Sequence, residues 1–187
     1  PNLDAIVAIA KDDTQPGQVI NDAVGLIGAV GPPHCFAPLI GMIATPHQSA
    51  RFKFVAANNA LKCGGAKSLA EVIRALPTAG AYYHDDLKVF LIDQISRMTP
   101  REAVQAALRE LLADKSTIAP WVAIEALAAI KSTEDLGRIK AMAGSKAQLV
   151  GYWGERNPEG KADPTLGRRA KELAEQMERP APQAPPK

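Results

Sequence analysis

The sequence feature that most constrains the fold is a repeat. Strong apolar positions recur every 32 to 35 residues, on both sides of a helix-breaking sequence. The last apolar positions before the breaks are Ile27, Leu61, Ile95 and Leu127, separated by 34, 34 and 32 residues. The first apolar positions after the breaks are Phe36, Leu69, Val104 and Leu136, separated by 33, 35 and 32 residues. The breaks are Gly31-Pro32-Pro33, Gly64-Gly65, Thr99-Pro100 and Ser132-Thr133. Two sets of positions keep one period, which predicts stacked units of two helices, as in a helical solenoid.

One unit is clearest between Arg51 and Leu76. Phe54, Ala57 and Leu61 are three and four residues apart, a spacing that places them on one stripe of a helix. Gly64 and Gly65 end that helix, because glycine enters left-handed geometry without a steric penalty. A second helix follows and stops before Pro77; its apolar stripe is Leu69, Val72, Ile73 and Leu76. The pattern therefore predicts a helix, a tight turn and a second helix.

At these positions the chain resembles the HEAT repeats of the armadillo-like superfamily, over residues 1–153. The features that carry the resemblance are small apolar second helices, at Val55–Leu61 and Ala123–Leu127, and Gly/Pro breaks that precede an apolar first helix. The resemblance implies an all-α fold, a right-handed α-solenoid of about four to five helical hairpins with a C-terminal capping helix. It also implies a habit of binding macromolecules, and it implies no reaction.

The breaks also predict the organisation of the chain. We expect a HEAT-like repeat domain at residues 1–153, a loop and a helix packed on it at 154–179, and a flexible proline-rich tail at 180–187. The last layer of a solenoid has no neighbour, so it needs a cover. Lys146–Trp153 is predicted to supply that cover as one or two turns of helix, and the final helix is predicted over Thr165–Arg179.

Composition narrows the choice of partners. The formal net charge of the 187-residue chain is +2, close to balance, which argues against a nucleic-acid or anionic-membrane surface. No apolar run reaches the length of a membrane span, because glycine, proline, Asp22 and His34 interrupt the most apolar region. The sequence therefore predicts no nucleic-acid partner and no direct membrane span.

The segment from Thr14 to Ala50 contains a single charged residue, Asp22. Either other helices bury this charge-poor segment, or it offers an apolar face to another protein. We favour the protein partner, a transient one or a membrane or envelope assembly of which the chain is a subunit. The residues predicted to contact it are Phe36, Ile40 and Ile43, together with Tyr82, Tyr83 and His84 in a longer turn. The alternative for that turn is that one tyrosine packs back onto the body.

The two cysteines suggest a compartment. Cys35 follows the first break and Cys63 precedes the second, and stacked repeats place successive breaks along one edge. The two thiols are predicted to form a disulfide or, alternatively, to be buried free cysteines. The sequence starts at Pro1, which a removed secretion signal or simple trimming would explain. Together these features favour a periplasmic or other extracytoplasmic location, with the cytoplasm as the alternative.

The sequence contains no recognisable catalytic, cofactor or metal motif. Its histidines, His34, His47 and His84, lack the spacing of metal ligands. The glycine-rich run Gly25–Gly31 lacks the Lys-Ser/Thr pair of a phosphate-binding loop and follows no strand. We therefore expect a non-enzymatic interaction scaffold or structural subunit. The alternative is an enzyme on a HEAT-like scaffold, resembling a cofactor or chromophore lyase or a DNA glycosylase.

Overall fold

The computed structural model describes residues 2–45, 50–76, 84–154 and 157–179. Every regular element within these ranges is a helix, and an isolated bridge pairs Gln148 with Thr165. The predicted all-α class is therefore confirmed. Within the same ranges, no helix combines the length and the apolar character that crossing a membrane requires.

The first half of the chain forms short helices separated by the predicted breaks. Their bounds are α1, Leu3–Lys11; α2, Gly17–Val30; α3, Phe36–Ala44; α4, Ala50–Gly64; and α5, Leu69–Ala75, which a 3₁₀ turn at Ala66–Ser68 precedes. Gly31 and Gly65 have φ angles of 82° and 66°. A residue with a side chain is strained in this region, which is why glycine ends α2 and follows α4.

A longer helix with a local irregularity follows. It consists of α6, His84–Leu87, a π-helical turn at Lys88–Ile92, and α7, Asp93–Arg97. The remaining helices are α8, Arg101–Leu112; α9, Ile118–Ala129; α10, Leu136–Ala141; and α11, Leu166–Glu178. Short 3₁₀ turns at Thr133–Asp135 and Met142–Gly144 flank α10.

The helices pack mainly against their near neighbours in chain order. The pairs that contact each other in this way are α1 with α2, α3 with α4, α8 with α9, and α10 with α11. A second series of contacts runs from α2 to α4, from α4 to the α6–α7 helix, from there to α9, and from α9 to α11. Contacts thus link α2, α4, the α6–α7 helix, α9 and α11 in succession, and we call these helices the row. A further helix contacts several of its members.

The apolar positions that define the repeat lie in the core. Ile27, Ile95 and Leu127 are fully buried, and Leu61 is 1% exposed. Among the positions after the breaks, Leu69 and Val104 are fully buried, whereas Phe36 and Leu136 are partly buried against the same cluster. Helix α9 is buried continuously from Ile118 to Leu127, which makes it the most enclosed helix of the described chain.

Tight helix contacts explain one of the glycines of α2. A Cβ atom at Gly28 would lie 2.8 Å from Oδ1 of Asn59 in α4. The close approach of α2 to α4 therefore depends on a residue without a side chain at position 28.

The predicted helical cover at Lys146–Trp153 is wrong. The carboxylate of Asp163 accepts hydrogen bonds from the Gly151 N–H at 2.7 Å and from the Trp153 N–H at 3.1 Å. The Leu149 N–H donates to the Pro164 carbonyl at 3.0 Å. The segment thus bonds to the chain that precedes α11 instead of forming its own helical turns. It still covers the core, because Leu149 and Tyr152 are buried.

The start of α8 also differs from expectation. The TPRE sequence predicts Thr99 as the residue that caps this helix, but the N-cap is Pro100 and no side chain caps the helix. Residues 180–187, the predicted tail, lie outside the described residues.

Candidate functional site

Large apolar side chains are exposed at the N-terminal end of the chain. Ile9 on α1 is 42% exposed, and Val19, Leu26 and Val30 on α2 are 40, 55 and 44% exposed. We call these four residues the N-terminal apolar face. Elsewhere in the described ranges, large exposed apolar side chains occur singly, at Val89 and Val150. Single exposed apolar residues are ordinary, whereas several on one pair of helices indicate a contact surface.

The sequence of α2 explains why this face exists. Its buried stripe is Ile20, Ala23, Val24 and Ile27. Val19, Asp22, Leu26 and Val30 follow one another at spacings of three, four and four, so they form a second stripe that faces solvent. A surface helix normally places polar residues on that side. Here the single charge is Asp22, whose Oδ1 accepts a hydrogen bond from Gln18 Nε2 at 2.8 Å.

The predicted partner-binding residues of α3 divide into two groups. Phe36 and Ile40 are partly exposed and remain accessible to a partner. Ile43 has no exposed surface and lies in the core between helices. Ile43 therefore has no surface that a partner could contact in this conformation.

The predicted turn residues also fall in different places. Tyr82 and Tyr83 lie outside the described residues. His84, the first residue of α6, has a side chain that is only 15% exposed. Its ring stacks on Tyr152 with a centroid separation of 4.4 Å, and its backbone N–H donates to the Tyr152 carbonyl at 3.2 Å. His84 therefore packs against the body.

The two cysteines are bonded to each other in the structure. The Cys35–Cys63 disulfide joins the residue before α3 to the last turn of α4, and it closes a separation of 28 residues. Both cysteines are buried. The disulfide thus connects α3, which lies in the charge-poor segment, to α4.

A buried ion pair connects α9 to α11. Glu125 is 3% exposed and is the only charged residue of α9. Arg169 donates from Nε to Oε1 of Glu125 at 2.5 Å and from Nη2 to Oε2 at 3.0 Å. Trp121 Nε1 donates to Oε1 at 3.3 Å, and Nε2 of His84 lies 3.5 Å from the same oxygen. Both carboxylate oxygens therefore have partners.

The ion pair holds Glu125 in its charged form. Burial by itself would raise the pKa of Glu125, but His84 and Arg169 lower the pKa to about 2. We assign most of this effect to Arg169, because a contact of 3.5 Å is too long for a strong hydrogen bond from His84. Burial by itself would lower the pKa of Arg169, whereas the neighbouring Glu125 raises it. The effect of Glu125 is the larger, so the pKa of Arg169 is raised. A carboxylate held in this way is poorly suited to proton transfer near neutral pH.

A second buried carboxylate, Asp135, connects α8 to α10. It is fully buried and accepts hydrogen bonds from Arg109 at 2.8 and 3.0 Å, from Arg138 at 2.9 Å and from the Ser132 hydroxyl at 2.7 Å. Burial would raise the pKa of Asp135, but Arg109 and Ser132 lower it. Every contact of this cluster joins parts of the protein to each other, so its role is structural.

Sequence reasoning did not find either of these buried carboxylates. The signal for Glu125 was a lone charge inside an otherwise apolar helix, but its partner is 44 residues away.

Within the described ranges, no group of three or more His, Cys, Asp or Glu side chains could hold a metal ion.

No family model, curated protein or solved structure matches the chain.

Proposed function

We propose that the protein is a non-enzymatic helical solenoid that binds another protein through its N-terminal apolar face. The observation that carries the proposal is the outward stripe of α2, where Val19, Leu26 and Val30 are each at least 40% exposed. Exposed apolar area of this kind is favourable only when a partner covers it.

The proposed solenoid, with about four to five right-handed HEAT-like hairpins, is supported by the order of the contacts. Each helix of the row from α2 to α11 packs on the next member of the row. The buried positions Ile27, Leu61, Ile95 and Leu127 each belong to a successive member of that row. Contacts between neighbours, repeated at one period, are the defining property of a solenoid.

The spacing of the exposed residues suggests how a partner would bind. Val19, Leu26 and Val30 are seven and four residues apart, the pattern of anchors that one helix presents to another. Asp22 lies between them and gives the surface one negative charge, which would favour a partner with a basic residue at that point. The accessible parts of Phe36 and Ile40 extend the proposed surface onto α3.

The disulfide supports an extracytoplasmic location, because reducing conditions in the cytosol disfavour structural disulfides. We therefore propose that the partner belongs to a periplasmic or envelope assembly.

The proposal is tested by partner capture from the native source with three forms of the protein. Leu26→Glu places a charge in the centre of the proposed surface. Val150→Glu is the matched control, because Val150 is also 55% exposed but lies far along the chain, before α11. We expect the wild type and Val150→Glu to capture the same protein, and Leu26→Glu to lose it. Capture that is equal for all three folded forms would overturn the proposed surface.

A further inference from the structure

The part of the chain from Lys88 to Arg179 forms a groove. It has a volume of about 530 Å³, within the range of small-molecule sites. Its walls come from the π-helical turn, the end of α9 and the last turns of α11. Five of the lining residues are apolar, and we call them the floor: Ile92, Ala128, Ala129, Leu173 and Met177.

Besides Arg169, three cations line the groove, and we call them its rim. Lys88, Lys131 and Arg179 line it, and none of the three forms an ion pair within the described residues. The other charged lining residues, Glu125 and Arg169, neutralise each other. The groove therefore combines an apolar floor with an uncompensated positive rim.

Lys131 occupies a position where glycine is normally found. Its φ angle is 54°, in the left-handed region. The Lys131 N–H donates to the Ala128 carbonyl and the Ser132 N–H to the Leu127 carbonyl, which is the Schellman pattern that ends α9. Glycine or asparagine would adopt this conformation at lower cost. The backbone at Lys131 is therefore strained, and the charge of its side chain lies at the groove.

Lys88 also lies at an irregular point of the backbone. It begins the π-helical turn, in which the Asp93 N–H donates to the Lys88 carbonyl, and Ile92 ends the turn. Lys88 and Ile92 both line the groove. Single π-helical turns inside α-helices occur frequently at functional sites.

Favourable interaction with helix dipoles explains only part of this arrangement. Lys131 and Arg179 follow the C-termini of α9 and α11, where cations are stabilised. Lys88 lies inside its helix and gains nothing from such an end. The helix dipoles also do not explain why apolar residues line the groove beside these cations.

We propose that this groove binds a small amphipathic carboxylate, with its hydrocarbon part on the floor and its carboxylate among Lys88, Lys131 and Arg179. Three elements contribute one or two floor residues each, which makes a compact patch and not the row of anchors that a bound helix needs. The inference does not depend on the proposed protein-binding face.

The test uses decanoate as the probe and methionine methyl NMR as the readout. Met177 lies in the floor, whereas Met42 is 1% exposed in the N-terminal core and serves as the internal control. We expect decanoate to shift the Met177 signal in a saturable manner and to leave Met42 unchanged. Decyltrimethylammonium has the same chain length and the opposite charge, so it should not shift Met177. Equal shifts with both compounds, or none with decanoate, would overturn the proposal.

Variants separate binding from stability. Lys131→Gly and Lys88→Gln should each weaken decanoate binding about fivefold, the order expected for one partly solvated ionic contact. Lys131→Gly should at the same time raise Tm, because it relieves the left-handed lysine. Lys171→Gln is the matched control, an exposed lysine of α11 that does not line the groove, and it should bind as the wild type does. Undiminished binding by both groove variants would contradict the assigned site.

Discussion

Arg169 holds both oxygens of the Glu125 carboxylate, with contacts of 2.5 Å from Nε and 3.0 Å from Nη2. The pair crosses from α11 to α9, and both residues are buried. It is the polar connection that fastens the C-terminal helix to the most enclosed helix of the described chain.

Removal of one member of the Glu125–Arg169 pair should destabilise the protein strongly. Arg169→Ala would leave Glu125 charged and buried without its main partner, and we expect a loss of about 3–5 kcal/mol in the free energy of unfolding. Chemical denaturation followed by circular dichroism measures this loss. Arg168→Ala is the control, because Arg168 is exposed and its ion pair among the described residues is with Glu172, four residues on. Losses of similar size in both variants would show that the buried pair has no special role.

The same pair should make stability depend on pH. The pKa of Glu125 is about 2 in the folded protein, below its value of 4.5 in an unfolded chain. A carboxylate whose pKa is lowered by folding contributes stability above its unfolded pKa, and that contribution is lost as the pH falls through the folded pKa. The free energy of unfolding of the wild type should therefore exceed that of Glu125→Gln by roughly 3 kcal/mol at pH 6, and the difference should shrink towards pH 2. A difference that stays constant from pH 6 to pH 2 would contradict the assignment.

The Cys35–Cys63 disulfide should stabilise the protein, because it lowers the conformational entropy of the unfolded chain. For the separation of 28 residues between Cys35 and Cys63, the expected loss in the free energy of unfolding on reduction is about 3.5 kcal/mol. Denaturation of the wild type with and without reductant measures it. The Cys35→Ser/Cys63→Ser variant should resemble the reduced protein and should not respond to reductant. A response of that variant would mean that the reductant acts elsewhere.

Replacement by alanine should destabilise the protein to different extents at Ile40 and Ile43, two residues of α3. Ile43 is fully buried, so Ile43→Ala should lower the free energy of unfolding by about 2–5 kcal/mol. Ile40 is only partly buried, so Ile40→Ala should cost clearly less. Thermal unfolding of the two variants checks the order. Equal losses would contradict the burial of α3 described above.

These isoleucines show what the sequence can and cannot predict. The helices and their breaks were predictable, because apolar period, glycine and proline are local signals. For example, the helix predicted to carry the stripe Leu69, Val72, Ile73 and Leu76 and to stop before Pro77 is observed at Leu69–Ala75. In a helix as apolar as α3, however, nothing marks the inward face, so Ile40 and Ile43 could not be distinguished.

Long-range polar contacts were the other limit of prediction. Asp163 binds the backbone of Gly151 and Trp153, and no local pattern in Lys146–Trp153 reveals this. Likewise, the pairing of Glu125 with Arg169 arises only when distant helices pack together.

The most direct test of the proposed function is amide hydrogen exchange of the protein alone and bound to its captured partner. The proposal predicts slower exchange on binding in Gly17–Val30, which carries the exposed stripe, and unchanged exchange in Arg101–Leu112, the helix that pairs with α9. Protection confined to Arg101–Leu112, with Gly17–Val30 unaffected, would contradict it.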